Sequence, residues 1–200
     1  MSVATIIDYG AGNLRSVVNT LDELGGRYEL TRDPQRVALA SKLILPGVGH
    51  FGQMLRALDA LGLREPLKAQ IGGGVPFLGI CLGMQALYER SAEAPEQQGL
   101  SLFPGVVERF PATARVPHMG WNEIVPDGRS RLLADLPPRP YVYFAHSYYC
   151  PVEASTAATC SYEGITYTAA LEHENIFGVQ FHPEKSGPLG LAIVRRFLEL

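Results

Sequence analysis

The chain has 200 residues, of which 46% are hydrophobic, and its formal net charge at pH 7 is −3. A chain of this length can bury one sizeable core, so we expect a single domain over residues 1–200. Basic and acidic residues are nearly balanced and neither forms a long run, which argues against nucleic acid or a membrane surface as a partner. The composition favours proteins and small molecules as partners.

The start of the chain, MSVATIIDYG, has a short apolar run but no basic leader and no small-residue cleavage site, so we expect no signal peptide. No segment approaches the roughly 20 apolar residues of a membrane span. The three cysteines, Cys81, Cys150 and Cys160, are widely spaced and none forms a CxxC pair, which argues against a disulfide framework and against a zinc site. We expect a cytoplasmic protein with no metal and no cofactor.

The first half of the chain alternates short apolar strands with segments of helical spacing. The predicted strands are VATIID, RYELT, KLILP and VPFLGI, and the predicted helices cover residues 14–24, 51–61, 65–71 and 82 to about 89. The run VPFLGI is apolar throughout, as is typical of a strand covered by helices on both faces. This order of strands and helices indicates an α/β fold.

The second half changes character after the polar loop SAEAPEQQG. Short β-like runs follow one another without helices, which usually makes strands antiparallel. They are GVVERF, YVYFAHSYYC, AATCSY and ITYTAALEH, and the tail GPLGLAIVRRFLEL predicts a terminal helix with Pro188 near its first turn. We therefore predict an α/β fold with a doubly wound, mostly parallel sheet, helices on both faces, and an antiparallel portion in the C-terminal half.

Cys81 lies between a predicted strand and a predicted helix, in the stretch LGICLGM. A nucleophile elbow places its residue on such a strained turn, where glycines two positions away, here Gly79 and Gly83, prevent collisions. The thiol would then lie at the carboxyl edge of the sheet and at a helix N-terminus, which favours the thiolate. The alternative is a buried and inert thiol, which we expect for Cys150 and Cys160.

A nucleophilic cysteine needs a base, and VQFHPEKS favours His182 among the five histidines. In an extended segment residues two apart point the same way, so Glu184 would follow His182 to one side while Pro183 stiffens the backbone. Together with Cys81 they would complete a Cys-His-Glu triad. Taken alone, an HPE tripeptide is more often a surface turn.

Acyl chemistry also requires N–H donors for a developing oxyanion. The backbone N–H of Leu82 is one candidate, because it follows the nucleophile of an elbow. The stretch LPGVGHF offers a second, since flanking glycines let a peptide unit turn its N–H toward a substrate. The alternative for this stretch is an ordinary strand-to-helix turn.

The motifs GICLGMQ and FHPE together resemble the class I, triad-type glutamine amidotransferases. The stretches IDYGAGNLRSV, LPGVGHF, PHMGWN and HPEKSG narrow the resemblance to the glutaminase subunits of imidazole glycerol phosphate synthase, a two-protein enzyme of histidine biosynthesis. The resemblance covers essentially the whole chain. It implies that Cys81 attacks the side-chain amide of glutamine, that His182 passes a proton to the leaving ammonia, and that Glu184 orients His182.

The resemblance also implies a partner. Ammonia would enter a cyclase subunit, a (β/α)8 barrel that forms a heterodimer with this chain and makes imidazole glycerol phosphate and aminoimidazole carboxamide ribotide. The residues that would face this partner near the ammonia exit are Asn13, Met119, Trp121, Asn122 and Tyr143.

The remaining site residues follow from the resemblance by position. Those that would hold the amino-acid end of glutamine are Gly47, Gly49, Gln85 and the backbone at Ser147 and Tyr148. Val48 and Leu82 would supply the oxyanion N–H groups, with the peptide between Val48 and Gly49 turned away until the partner is loaded.

Three alternatives stay open at this point. DYGAGNLR suggests a dinucleotide-binding module, but that pattern requires glycine where Arg15 stands and an acidic ribose anchor about 20 residues further on. A non-catalytic, partner-binding homologue would be expected to lack Cys81, His182 or Glu184. Another glutaminase of the same class, such as the pyridoxal phosphate pathway subunit or a fused synthase domain, is disfavoured by PHMGWN and by the absence of a synthase domain.

Overall fold

The structure, a computed structural model, describes residues 3–11 and 13–200. An eight-stranded mixed sheet forms its centre. In spatial order its strands are β2 (Tyr28–Thr31), β1 (Ala4–Ile7), β3 (Leu43–Gly47), β4 (Phe77–Cys81), β13 (Ile176–Val179), β12 (Ile165–His173), β11 (Thr156–Tyr162) and β8 (Val125–Pro126). The first five run parallel and the last three continue the sheet antiparallel. The predicted fold class is confirmed.

Helices cover both faces of this sheet. They are α1 (Leu14–Glu23), α2 (Pro34–Ala38), α3 (Phe51–Ala60), α4 (Arg64–Gly72), α5 (Leu82–Gln85) and α6 (Gly187–Glu199). Successive strand residues point to opposite faces, so Ile6 shares one core with Leu21 of α1, whereas Leu45 shares the other with Leu55 of α3. Within the described part of the chain, no helix combines the length and the apolar character that a membrane span requires.

Two smaller sheets complete the fold. One has the order β10 (Tyr148–Tyr149), β6 (Phe103–Arg109) and β5 (Tyr88–Ser91), and the other pairs β7 (His118–Glu123) with β9 (Tyr141–His146) antiparallel. The run YVYFAHSYYC, predicted as one strand, is therefore divided between two sheets at Ser147.

The helix predicted from residue 82 to about residue 89 is wrong in its second half. Helix α5 ends at Gln85, and strand β5 begins at Tyr88. There Tyr88 pairs with Phe103 of β6 and is almost fully buried. Strand pairing and burial outweigh the local preference for helix. The helix propensities of ordinary residues differ by only about 0.7 kcal/mol or less.

Helix α2 and strand β7 are among the elements missing from the prediction, and the reasons differ. Helix α2 carries ordinary start signals, because the Asp33 side chain accepts the Gln35 N–H and Pro34 is the first helical residue. Strand β7 has no regular alternation of apolar and polar residues, and it is extended because all six of its residues pair with β9. Only the start signals of helix α2 could have been recognised in the sequence.

Candidate active site

Cys81 is the last residue of β4 and turns the chain into α5 with φ 53° and ψ −110°. A positive φ is rare for a residue with a side chain, so the backbone here is strained. An added Cβ at Gly79 would lie 2.6 Å from the Gly83 carbonyl oxygen, so no side chain fits there. The chain has the tight strand-to-helix turn that LGICLGM predicts.

The helix after Cys81 is too short to give the electrostatic help expected from it. Helix α5 has four residues, about one turn, so few peptide dipoles align behind the sulphur. The sulphur instead lies against a side chain, since Gln180 Nε2 is 3.5 Å from Cys81 Sγ. Stabilisation of a thiolate must come mainly from such neighbouring groups.

His182 and Glu184 are hydrogen-bonded to each other, but not in the extended conformation predicted for them. Strand β13 ends at Val179, and Pro183–Lys185 form a 3-10 helix. His182 Nδ1 lies 2.8 Å from Glu184 Oε1, and both side chains are buried. Because the two residues are so close in sequence, the turn brings them into contact as effectively as a strand would.

The environment of His182 favours the protonated ring. Burial lowers the pKa of His182, but hydrogen bonding to the Cys81 sulphur and to the Glu184 carboxylate outweighs it and raises that pKa to about 10. An imidazolium beside a cysteine sulphur is the arrangement of an activated thiol nucleophile. The ring therefore holds a proton that it can give to a leaving group.

The turn that carries His182 is anchored to the β7/β9 sheet. The His182 N–H donates to the Tyr143 carbonyl at 2.8 Å. The Tyr143 N–H donates to the Ser186 hydroxyl at 3.0 Å, and that hydroxyl donates to the His182 carbonyl at 2.7 Å. A displacement of β9 would therefore move the imidazole.

A cavity of about 250 Å³ opens beside Cys81. The predicted site residues that line it are Val48, Gly49, Leu82, Gln85, Ser147 and Tyr148, with Cys81 and Met119. Gly47 lies outside this lining. An added Cβ at Gly47 would lie 2.5 Å from the Gly83 nitrogen, so this glycine allows β3 to pack against α5.

The sequence analysis missed Glu93, at the cavity, and Gln180, beside the Cys81 sulphur. Glu93 lines the cavity and its Oε2 accepts the Phe51 N–H at 2.7 Å. Nothing in the loop SAEAPEQQG distinguishes Glu93 from its acidic neighbours. Gln180 is fully buried and lies two residues before His182, so a polar residue within the apolar run of VQFHPE was a signal that could have found it.

The two candidate oxyanion donors differ in what they contact. Leu82 is the first residue of α5, so its N–H has no acceptor within the helix. The Val48 N–H donates to the Tyr9 hydroxyl at 3.3 Å, and burial raises the pKa of that phenol to about 12. Gly49 has φ +94°, a conformation that favours glycine. In this structure the Val48 N–H is therefore already hydrogen-bonded to Tyr9 and is not free for an oxyanion.

An exposed apolar patch lies next to the cavity. Met119 and Trp121 are 64% and 56% exposed, and they lie two residues apart on β7. Trp121 pairs with Tyr143 of β9, their ring centroids 6.2 Å apart. Met119 also lines the cavity, so the patch reaches the cavity mouth. Large apolar side chains exposed next to each other are typical of a protein interface.

The two asparagines predicted at the interface are placed differently. Asn13 precedes α1 and its side chain makes no capping hydrogen bond. Asn122 turns toward the body of the protein, where Nδ2 donates to the Ser161 carbonyl at 3.2 Å and lies 3.4 Å from His118 Nε2.

The other two cysteines are inert, as the sequence analysis expects. Burial raises the pKa of Cys160 to about 11 and raises the pKa of Cys150 well above its usual range. Both thiols therefore stay protonated. In residues 3–11 and 13–200 no group of three or more His, Cys, Asp or Glu side chains is arranged to hold a metal ion.

His118 and His146 are a buried cross-strand pair, and His146 also lines the cavity. Tyr167 joins them, with its hydroxyl 3.0 Å from His118 Nδ1 and 3.2 Å from His146 Nε2. His146 Nδ1 lies 2.8 Å from the Tyr148 carbonyl. Burial lowers the pKa of His118 to about 4 and that of His146 to about 3. Both rings are therefore neutral at physiological pH.

Replacing His146 with glutamine should make folding less sensitive to acid. Below the unfolded pKa near 6.5 the unfolded chain takes up a proton that the folded ring refuses, so stability falls with pH. For one such histidine the loss between about pH 7.5 and about pH 5 is about 2 kcal/mol, and His146→Gln should remove it. Urea unfolding at several pH values measures the difference.

His182 contributes with the opposite sign. Its raised pKa gives stability that is complete below about pH 6.5 and is lost as the pH rises toward 10. Because His182 is present in both proteins, its contribution cancels in the comparison. His173→Gln, at an exposed histidine, serves as the control. Equal pH dependence of wild type and His146→Gln would contradict the prediction.

Comparison with known proteins supports the chemistry that this geometry suggests. Residues 5–200 match the family profile described as glutamine amidotransferase class-I. Imidazole glycerol phosphate synthase subunit HisH of Methanothermobacter thermautotrophicus is 47% identical over 195 residues, which cover 98% of this chain and 97% of the relative. The subunit of the same name from Thermus thermophilus is 47% identical over 200 residues, with 98% of each chain covered. That from Salinibacter ruber is 43% identical over 206 residues, covering 99% of this chain and 94% of the relative.

Solved structures share the fold. A crystal structure of a glutamine amidotransferase superposes with a TM-score of 0.77 at 19% identity, covering 98% of this chain and 97% of the other. The PurLQS structure of Thermotoga maritima gives a TM-score of 0.75 at 17% identity, with 100% and 99% covered. At such identities the likeness concerns the fold alone. Because the family profile spans nearly the whole chain and full-length relatives are 43% to 47% identical, this chain belongs to the class I glutamine amidotransferase family.

Proposed function

We propose that this chain is the glutaminase subunit of an imidazole glycerol phosphate synthase and that it hydrolyses glutamine to glutamate and ammonia. The observation that carries the proposal is Cys81 on its strained turn, beside a small cavity and the buried His182–Glu184 pair. Membership of the family supports the glutaminase reaction, and the names of the full-length relatives support the assignment to this synthase.

The reaction begins with attack of the Cys81 thiolate on the side-chain amide carbon of glutamine. A C–S bond forms, and the amide oxygen takes up the negative charge. As the C–N bond breaks, His182 gives its proton to the leaving nitrogen, which departs as ammonia and leaves a thioester. Glu184 holds the other ring nitrogen through the 2.8 Å hydrogen bond and keeps the ring oriented.

Water completes the cycle. It attacks the thioester carbon and gives a proton to the now neutral His182. The C–S bond then breaks, glutamate leaves, and the sulphur is again a thiolate beside an imidazolium. Each turnover consumes one glutamine and one water and releases one glutamate and one ammonia.

The cavity offers complementary groups for the amino-acid end of glutamine. Glu93 presents a carboxylate to the cavity, which suits the α-ammonium group. Gln85, Gly49 and the backbone at Ser147 and Tyr148 line the same space and are assigned to the rest of the amino-acid group.

Leu82 and Val48 are assigned as donors to the oxyanion. The Val48 N–H must first leave the Tyr9 hydroxyl, to which it donates in this structure. Gly49 follows it and adopts conformations that other residues avoid, so the peptide units of this loop can turn. Glutaminase activity would rise under conditions that favour this rotation of the peptide units.

The partner in this proposal is a cyclase subunit with a (β/α)8 barrel that forms a heterodimer with the chain. It would cover the exposed patch of Met119 and Trp121 and the half-buried Tyr143 beside it, with Asn13 and Asn122 nearby. Ammonia would pass into the partner at this contact and react with its ribotide substrate. The hydrogen bond between Tyr143 and His182 gives the contact a physical link to the base.

Replacing Trp121 with alanine should weaken binding of the cyclase subunit by about tenfold or more, since a large aromatic residue at the centre of an interface is a typical hot spot. Titration with the cyclase, followed by glutaminase rate and by sedimentation, measures this loss. Wild-type glutaminase should be stimulated by the cyclase with its nucleotide ligand bound.

Leu39→Ala is the matched control, because Leu39 is 86% exposed at the end of α2. It should bind the cyclase like wild type. Unchanged binding and stimulation of the Trp121→Ala variant would remove the patch from the interface. High glutaminase activity of the isolated chain, with no stimulation, would argue against dependence on a partner.

A further inference from the structure

Two buried glutamine side chains connect the cavity to the Cys81 sulphur. Gln85 Nε2 donates to the Tyr148 carbonyl at 2.8 Å and to Gln180 Oε1 at 2.9 Å. Gln180 Nε2 in turn lies 3.5 Å from Cys81 Sγ. Gln85 is 3% exposed and Gln180 is not exposed at all, so water does not compete for these contacts. We call this pair the amide chain.

The direction of every hydrogen bond in the amide chain follows from one backbone group. The Tyr148 carbonyl can only accept, so Gln85 must present its NH₂ group to it. The same NH₂ group is then the donor toward Gln180, which must accept with its carbonyl oxygen. Gln180 consequently turns its own NH₂ group toward the sulphur. The opposite orientation would place two donors or two acceptors face to face.

We propose that Gln180 is a further catalytic residue, whose Nε2–H donates to the Cys81 sulphur and stabilises the attacking thiolate. A sulphur that faces an N–H donor is favoured as the anion, because the anion is the better acceptor. The one-turn helix α5 provides little of this stabilisation, which leaves it to Gln180 and the His182 imidazolium. The inference rests on the proposed function only for the identity of the electrophile.

The donor has two opposing effects on reactivity. It increases the share of thiolate at a given pH, and it lowers the nucleophilicity of each thiolate, with a Brønsted coefficient of roughly 0.4 to 0.5. If the bond increases the thiolate share about tenfold, the rate of attack per thiolate falls about threefold. The donor therefore raises the overall rate of attack at a pH where the thiolate is the minor form of Cys81. It lowers that rate at a pH where Cys81 is fully ionised.

The test is the pH profile of Cys81 alkylation by iodoacetamide in the isolated full chain. Gln180→Met keeps the length of the side chain and removes the donor. Its profile should have an acid limb at higher pH than wild type and a plateau about threefold higher, so that the two profiles cross. Gln180→Glu places a carboxylate by the sulphur and should move the acid limb in the same direction.

Thr168→Val is the matched control. It removes the two hydrogen bonds of the Thr168 hydroxyl, to the Thr156 hydroxyl and to the Pro151 carbonyl, each 2.7 Å long, without touching the sulphur, and should leave the profile unchanged. Cys81→Ser should abolish fast alkylation, because burial raises the pKa of both Cys150 and Cys160 and keeps their thiols protonated. Near-UV circular dichroism shows which variants are folded. If Gln180→Glu folds and Gln180→Met does not, Gln180→Glu is the variant compared with wild type.

Superimposable profiles of wild type and a folded Gln180 variant would overturn the proposal, and so would an acid limb displaced to lower pH. Alkylation requires neither glutamine nor the cyclase. A failure of the proposed function would appear separately, as absence of glutamine hydrolysis by the wild-type complex.

Discussion

Replacing Cys81 with serine should abolish glutamine hydrolysis, with kcat reduced roughly 10⁴- to 10⁶-fold, as when the nucleophile of another triad is removed. The hydroxyl of serine ionises far less readily than a thiol. The rate of glutamate release, measured with the cyclase and its ligand present, tests the expectation.

The same variant should leave the partner able to use ammonium salt, because the substitution changes one atom in this chain and none in the cyclase. Cys160→Ala is a suitable control, since Cys160 is buried away from the cavity and should retain hydrolysis. Hydrolysis of glutamine by Cys81→Ser at the wild-type rate would show that another residue is the nucleophile.

Replacing Gly83 with alanine should destabilise the fold by at least about 3 kcal/mol, because the new methyl group has no room. An added Cβ would lie 1.8 Å from the Leu45 carbonyl oxygen and 2.9 Å from its carbon. These are backbone atoms of β3, which is paired on both sides with β1 and β4, so they cannot move aside cheaply. Urea unfolding measures the loss.

Gly72→Ala is the matched control for that substitution. Gly72 ends α4, and an added Cβ there meets nothing within 4 Å. Alanine is the better helix former, so this variant should equal wild type or gain about 0.5 to 1 kcal/mol. If Gly83→Ala were as stable as Gly72→Ala, the close contact between β3 and α5 would not exist as described.

The elbow and the His182–Glu184 pair were predictable because their signals are local. Gly79 and Gly83 lie two residues to either side of Cys81, where the backbone approaches itself most closely. His182 and Glu184 are near enough in sequence to meet in a turn or in a strand, so the wrong backbone conformation still led to the right contact. In both cases the residues are so close in sequence that the backbone between them allows few relative positions.

The polar groups around the cavity were not predictable in the same way. Glu93 reaches the Phe51 N–H across 42 residues, Tyr9 reaches Val48 across 39, and Gln180 reaches Cys81 across 99. No local pattern specifies such pairs. They depend on which segments the sheet places side by side.

The limits of β5 show how tertiary contacts override local preference. Residues 82–89 have the pattern of a helix, yet the chain leaves the helix after one turn so that Tyr88 can be buried and pair with Phe103. The same competition divides YVYFAHSYYC at Ser147, which places the Ser147 and Tyr148 backbone at the cavity.

By itself, the sequence determined the α/β class, the order of strands and helices in the first half, and the strained turn at Cys81, because periodicity and glycine spacing act over a few residues. Only the tertiary structure decided that the Val48 N–H lies on Tyr9, that β9 holds the His182 turn through Tyr143, and that Gln180 faces the sulphur. These contacts join distant segments, and strand pairing together with burial selects them from many that the local sequence would allow.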